Sequence, residues 1–229
     1  MSSFIKKELG VIAAIRDEVT DLLANPYFSW EEIAKNYFHS PIGLDCIICG
    51  VGKVNAAFAM QRLLDRVNEV LIVGTAGGLH QEKIGSLYLC TEFVEHDMDA
   101  TGLGFPHGVT PFEEHTDHVI SKVSKKTVEH IQKVCKKMLI ELLTGRIMSG
   151  DQFINDHKVI AEKRSRFEAQ LVDMESAAIA KICRKHGVGV TALRYISDNA
   201  DHNATISWRE NVQRSSGLIN QIVQELFST

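Results

Sequence analysis

The run Glu69-Val70-Leu71-Ile72-Val73-Gly74-Thr75-Ala76-Gly77-Gly78 decides the fold. Between Glu69 and Gly74 it is apolar, β-branched and too short for a helix, with no polar position to face water. That predicts a strand over 69–74, buried on both faces. It runs into a glycine-rich turn, where backbone without Cβ atoms can approach a ligand closely. The turn is not a dinucleotide fingerprint, because G-x-G-x-x-G is missing there.

Outward from this strand, β-branched runs alternate with segments of helical period. Residues 9–15 predict a first strand, and 16–23 a helix with acids in its first turn. Residues 45–50 predict a second strand. Residues 53–67 predict a helix with Val54, Ala57, Met60, Leu64 and Val67 on one face. Residues 86–97 are long enough to bend through a bulge. Residues 98–115 shift to Gly, Pro, His and Phe, a loop of a length that is usually functional. Then follow a helix over 116–143, a strand over 144–150, a helix over 155–167, a strand over 170–173, a helix over 175–187, a strand over 190–197 and a terminal helix over 206–227. Such alternation is the signature of an α/β fold.

Composition narrows the function classes. The 229 residues carry 25 Lys+Arg against 29 Asp+Glu, a net charge of −4, so there is no cationic footprint for nucleic acid. The most basic stretch, Lys122 to Lys137, interleaves Glu129 and His130 and has no aromatics, as a solvated helix face does. Four prolines leave no room for a Pro-rich linker, and one domain over 1–229 is expected. Lys6 and Lys7 precede an apolar run that meets Arg16-Asp17-Glu18 too soon for a secretory signal. No run reaches the roughly 18 apolar residues of a membrane helix. Five scattered cysteines, an odd number, predict a reduced, cytoplasmic protein.

Several motifs fail on inspection. Gly50-Val51-Gly52-Lys53 ends like a phosphate-binding loop, but Ile47 and Val54 stand where that loop needs Gly and Ser/Thr. Cys46 and Cys49 have redox spacing, yet three apart in a strand they face opposite sides and predict core filler. His96, Asp97, Asp99, His115, Asp117 and His118 lack metal-ligand spacing, so neither metal nor cofactor is expected.

Three carboxylates remain, each at the end of a predicted strand: Glu18, Glu175 and Asp198. Ligand crevices in open α/β sheets form at the carboxyl ends of strands. Any one of these acids would equally serve a helix dipole or cap. Together, beside a glycine-rich turn, they are candidates for chemistry. Phe153 and Trp208 offer flat apolar surfaces for a planar heterocycle, with core packing as the alternative for each.

Six blocks then occur in order: Ile12 to Glu18, Gly50 to Ala56, Gly74 to Gly78, Ser149-Gly150-Asp151-Gln152-Phe153-Ile154, Val172-Asp173-Met174-Glu175-Ser176-Ala177-Ala178 and Arg194-Tyr195-Ile196-Ser197-Asp198. This series resembles the bacterial 5′-methylthioadenosine/S-adenosylhomocysteine nucleosidases, of the purine nucleoside and uridine phosphorylase superfamily. The resemblance implies a three-layer α/β/α sandwich around a mixed, partly barrel-like sheet, a homodimer, and hydrolysis of an adenine nucleoside without cofactor. It further implies that Glu18 activates water, that Asp198, held by Ser197, protonates adenine N7, and that Glu175 with the Met174 backbone binds the ribose hydroxyls. Phe153 would stack on the base, the main chain of Phe153 or Ile154 would read its edge, and Ile15, Thr75, Ala76, Gly77 and Trp208 would complete the pocket. Adenine leaves badly as an anion, so an acid at N7 and a carboxylate-activated water suit an inverting glycosidase.

The chain departs from the family at Thr75 (usually Ser), Trp208 (commonly Phe), Asp173 (more usually Glu) and the loosely matching 96–105 segment. That loop normally helps form the 5′-alkylthio pocket across the dimer, so the active unit is expected to be larger than one chain. A nucleoside phosphorylase would need phosphate-binding arginines, and Ile72 stands where one of them usually precedes the turn. Another adenine nucleoside, such as aminodeoxyfutalosine, remains an alternative substrate. A non-catalytic nucleoside-binding protein on the same fold is a third reading.

Overall fold

Strand β5 (Glu69–Gly78) pairs with three neighbours, and this makes the sheet both open and closed. In the computed structural model, which describes residues 9–79, 82–115, 117–199 and 204–228, its first half lies parallel to β1 (Leu9–Ala13). Its last two residues lie antiparallel to β8 (Leu171–Asp173), and Glu69 to Gly77 lie parallel to β9 (Gly189–Asp198). The circuit β5, β8, β7 (Leu142–Ser149), β6 (Leu87–Glu95), β9 and back to β5 closes a five-strand barrel. From β5 the sheet also extends through β1 and β4 (Leu44–Ile48) to β3 (Tyr37–Ser40) and β2 (Glu31–Ala34).

Alternation along β5 sends Val70 and Ile72 to one core and Leu71 and Val73 to the other. Helices α2 (Lys53–Leu63) and α5 (Ser176–His186) cover the first face. Helices α1 (Thr20–Ala24), α3 (Lys125–Lys137) and α6 (Ala204–Ser228) cover the second. The result is the expected three-layer α/β/α sandwich with a partly barrel-like mixed sheet. A third cluster, holding Met148, Ile160 and Phe167, packs α4 (His157–Phe167) over one end of the barrel.

Local expectations needed six corrections. The glycine-rich segment Gly74 to Gly78 forms no turn but continues β5, paired with β9 and β8. The hairpin β2–β3 gave no signal because Glu31 to Ala34 are all exposed and show no alternation; Asn36, with φ 58°, makes its left-handed turn. The strand 45–50 is therefore the fourth in the chain. Residues 16–23 split into a 3-10 turn, Arg16–Val19, and the short α1. The helix expected over 116–143 is α3 alone. Ser124 caps it, accepting from Thr127 N at 3.3 Å, Ile120 pairs with Phe93 as a lone bridge, and Leu142 already belongs to β7. Thr116 and residues 1–8, with their two lysines, lie outside the described residues. Finally, α2 ends at Leu63 and buries Ala56, Ala59, Met60 and Leu63; of the expected face Met60 and Val67 are buried, whereas Val54 is 80% exposed. Small residues decide this: Ala56 and Ala59 share a cluster with Ala177 and Ala180 of α5, and Leu63 lies directly over Gly10.

Candidate active site

Chain segments leaving β1, β4, β7 and β8 and the last residues of β5 and β9 converge on one cavity of about 380 Å³. Every residue expected at the site lines it: Glu18, Asp198 and Glu175, with Ile15, Thr75, Ala76, Gly77, Phe153, Ile154, Met174, Ser197 and Trp208. Ala14, Val51, Gln152, Val172 and Asp173 line it as well.

Glu18 arrives on the 3-10 turn after β1 and is buried. Its Oε2 accepts from Ala14 N at 3.0 Å and Ile15 N at 3.3 Å, and its Oε1 accepts from Thr75 N at 2.8 Å and Thr75 Oγ1 at 3.0 Å. Those four donors fix both carboxylate oxygens. Gly74 makes room for them: at φ 129°, a Cβ there would lie 2.3 Å from Glu18 Oε1.

Asp198 reaches the cavity through a bulge. Ala76 pairs with Ile196 and Gly77 with Asp198, so Ser197 is the extra residue of β9, and both Ser197 and Asp198 face the cavity. The Ser197 hydroxyl donates to Asp198 Oδ2 at 2.7 Å, and Asn211 of α6 donates to the Ser197 carbonyl at 3.2 Å.

Glu175 stands at the N-cap position of α5 with its side chain turned away from that helix's N–H groups. Its Oε1 accepts from Gly52 N at 2.8 Å and its Oε2 from Met174 N at 3.2 Å. Burial, then the neighbouring Asp173 charge, pushes its carboxyl up to about 7. Burial together with Glu175 and Glu18 also pushes the nearby Cys49 thiol far above its ordinary value. Cys46 and Cys49 face opposite cores, as their spacing predicts, and both are free thiols.

Phe153 is 56% exposed at the cavity mouth, which removes its core alternative. Trp208 is half-buried and its indole Nε1 donates to Thr75 Oγ1 at 3.1 Å.

The floor of the site was not anticipated. Arg194, wholly buried, donates from Nη2 to Asp173 Oδ2 at 2.5 Å and to Ser176 Oγ at 3.0 Å, and from Nη1 to the Val73 carbonyl at 2.9 Å. Asp173 also accepts from Ser149 Oγ and the Ser176 hydroxyl, so the replacement of the usual Glu by Asp still anchors the arginine. Burial opposes the Arg194 charge, but Asp173, Glu18 and Glu175 outweigh it. The signal was present in the sequence: one arginine in the apolar run 190–197 implies a buried partner. Among the described residues no cluster of three or more His, Cys, Asp or Glu could hold a metal. Among them, too, no helix is long and apolar enough to cross a membrane.

The family model of the phosphorylase superfamily matches residues 8–228, and the chain belongs to that superfamily. An aminodeoxyfutalosine nucleosidase of Helicobacter pylori is 32% identical over 92% of this chain and 94% of its own. A 5′-methylthioadenosine/S-adenosylhomocysteine nucleosidase of Exiguobacterium is 33% identical over 91% and 92%. The crystal structure of a mutant Helicobacter pylori nucleosidase with 5′-methylthioadenosine in its active site superposes with a TM-score of 0.89 at 28% identity, covering 97% of this chain and 98% of that one. Within the superfamily the chain is a nucleosidase, an N-glycosidic nucleoside hydrolase.

Proposed function

We propose that the chain hydrolyses the N-glycosidic bond of 5′-methylthioadenosine and S-adenosylhomocysteine, releasing adenine and the 5-thioribose product. The observation that carries this reading is the placing of Glu18 and Asp198 in one largely apolar cavity, each held by its own hydrogen bonds. Glu18 takes a proton from water as the water oxygen bonds to the anomeric carbon. The C–N bond breaks, its electron pair stays on the base, and Asp198 delivers a proton to N7. Water and leaving group lie on opposite faces of a sugar that approaches an oxocarbenium ion, which the surrounding carboxylates stabilise. Glu175 and the Met174 backbone hold the ribose hydroxyls, Phe153 stacks on the purine, and the main chain of Phe153 or Ile154 reads its edge. Ile15, Ala76, Gly77 and Trp208 shape the remaining walls.

A second reading, aminodeoxyfutalosine as substrate, is favoured by relatives of that activity at the same level of identity. The two substrates share adenine and ribose and differ at the 5′ end. No residue of the 98–115 loop lines this chain's cavity, so that end awaits another surface. We take that surface to be a second copy in a cytoplasmic homodimer, each copy one nucleoside phosphorylase-like domain over 1–229. Val54 and Phe58, one helical turn apart on α2 next to Val51 at the cavity, are 80% and 68% exposed, and Leu103 and Phe112 of the loop are exposed too.

The deciding experiment is a panel of adenine nucleosides with varied 5′ groups, assayed for adenine release with and without phosphate. Release that is phosphate-independent and fastest with 5′-alkylthio groups supports the proposal. Cleavage confined to aminodeoxyfutalosine supports the second reading, and release that needs phosphate overturns hydrolysis.

A further inference from the structure

We propose that Asp97 is a positioning residue for the nucleoside site, locking the loop that carries Phe153 to the N-terminus of α2, which in turn holds Glu175. Asp97 lies just past β6 and does not line the cavity. Its Oδ1 accepts from Lys53 Nζ at 2.7 Å and its Oδ2 from Asp151 N at 2.9 Å. The Lys53 backbone N–H donates to Asp151 Oδ1 at 2.8 Å, which closes a ring through Lys53, Asp97 and Asp151. One residue before Lys53, Gly52 N reaches Glu175; two residues after Asp151 stands Phe153. A single ring thus joins the side of the cavity assigned to the sugar with the side assigned to the base.

Packing reinforces the ring. A Cβ on Gly150 would meet the His96 ring at 2.5 Å and Asp97 Cγ at 2.9 Å, and one on Gly52 would meet Asp151 Oδ1 at 3.0 Å. The loop therefore lies flush on the His96–Asp97 corner. Lys53 Nζ also reaches Glu95 Oε1 at 3.3 Å, while Lys181 Nζ donates to Glu95 Oε2 and to Thr110 Oγ1, each at 2.5 Å. Helix α5 and the 98–115 loop join the same network. Phe153, more than half exposed, is not fixed by its own packing. What fixes its loop is Asp151, held by partners on two other segments. Burial works against the Asp97 charge, but the Lys53 ammonium and the Asp151 N–H leave its carboxyl below the usual range.

The inference rests on the adenine nucleoside reading, and the test separates the two. Full-length wild type, Asp97→Asn, Lys53→Met and the double variant are compared for adenine affinity by calorimetry, for kcat and KM of adenine release from 5′-methylthioadenosine, and for thermal midpoint. Asparagine turns one acceptor into a donor facing Lys53 or Asp151. Asp97→Asn should weaken adenine binding and raise KM by roughly tenfold while kcat falls by less than about threefold. The double variant should be no worse than Asp97→Asn alone, since both substitutions open one ring. Adenine affinity and KM within about twofold of wild type in folded Asp97→Asn would overturn the proposal, because an ordinary surface ion pair contributes only stability. Should Asp97→Asn not fold, Lys53→Met decides: a rise of about threefold in KM and in the adenine dissociation constant supports the ring, and no rise overturns it. If wild type binds adenine but cleaves no nucleoside, the functional reading fails, while the effect of Asp97 on adenine affinity still decides the inference.

Discussion

The Thr75 hydroxyl stands between Trp208 and Glu18: it accepts from the indole Nε1 at 3.1 Å and donates to Glu18 Oε1 at 3.0 Å. Trp208 thereby orients the hydroxyl, so that its single proton points at the carboxylate. Two departures from the family pattern, Thr for Ser and Trp for Phe, are thus structurally linked.

Thr75→Val should lower kcat by about tenfold or more, because it removes a hydrogen bond to the charged Glu18 and leaves the indole N–H unpaired. Thr75→Ser should stay within about threefold of wild type, since the hydroxyl is all that the contact uses. Steady-state kinetics of adenine release would measure both, and an active Thr75→Val would remove the hydroxyl from the mechanism.

Gly74→Ala tests the room made for Glu18. The new methyl would sit 2.3 Å from Glu18 Oε1, in a backbone conformation that disfavours any side chain. Displacing Glu18 should abolish activity and destabilise the fold by about 2 kcal/mol or more, read from urea unfolding. An active, stable variant would mean that Glu18 has another place to sit.

Glu175 predicts a stability loss toward alkaline pH. Its carboxyl is raised in the fold from an ordinary 4.5 to about 7, first by burial and then by Asp173. The protonated form is the one the fold favours. Its contribution is fully present below about pH 4.5 and is lost as pH rises through about 7. Relative to wild type, Glu175→Gln should therefore gain up to about 3 kcal/mol of unfolding free energy between about pH 5 and pH 8. A pH-independent difference would show that Glu175 titrates normally.

His96 predicts a loss at the acid end. Burial first, then the Lys163 charge, lowers its ring from 6.5 to about 4, and neither ring nitrogen has a hydrogen-bond partner among the described residues. The stability of the neutral ring is present above about pH 6.5 and is lost as pH falls toward about 4. His96→Leu should escape that part of the acid loss, up to about 3 kcal/mol, in urea titrations across this window. An identical slope in wild type and variant would assign the acid loss elsewhere.

Much of this was legible in the chain because the informative signals are local. Apolar runs such as 69–74 mark buried strands whatever surrounds them, and the glycines that follow the run mark a close approach, although Gly74 to Gly78 continue β5 and form no turn. The three acids were visible through their position at strand ends. What was hidden depended on tertiary partners. The exposed strand Glu31–Ala34 has no face to declare it, and the buried face of α2 was chosen by the alanines of α5 and by Gly10, far away in sequence. The bulge at Ser197 exists only in relation to β5, and the ring through Asp97 joins residues brought together by folding alone. Arg194 is the exception, a charge in an apolar run whose partner could have been sought two residues before Glu175.

The three-way pairing of β5 also has a consequence for biosynthesis. The barrel closes only when Glu69–Gly78 meets Gly189–Asp198, and that last strand carries Asp198, with Trp208 following on α6. A ribosome therefore makes residues 9–188 before either the closing strand or its acid exists. Until then the nascent chain holds β5 with one edge unpaired and Glu18 without an opposing acid, so chaperone protection would matter most in this interval. Recovery of activity on refolding accordingly requires this pairing between strands far apart in sequence, a contact that is slow to form.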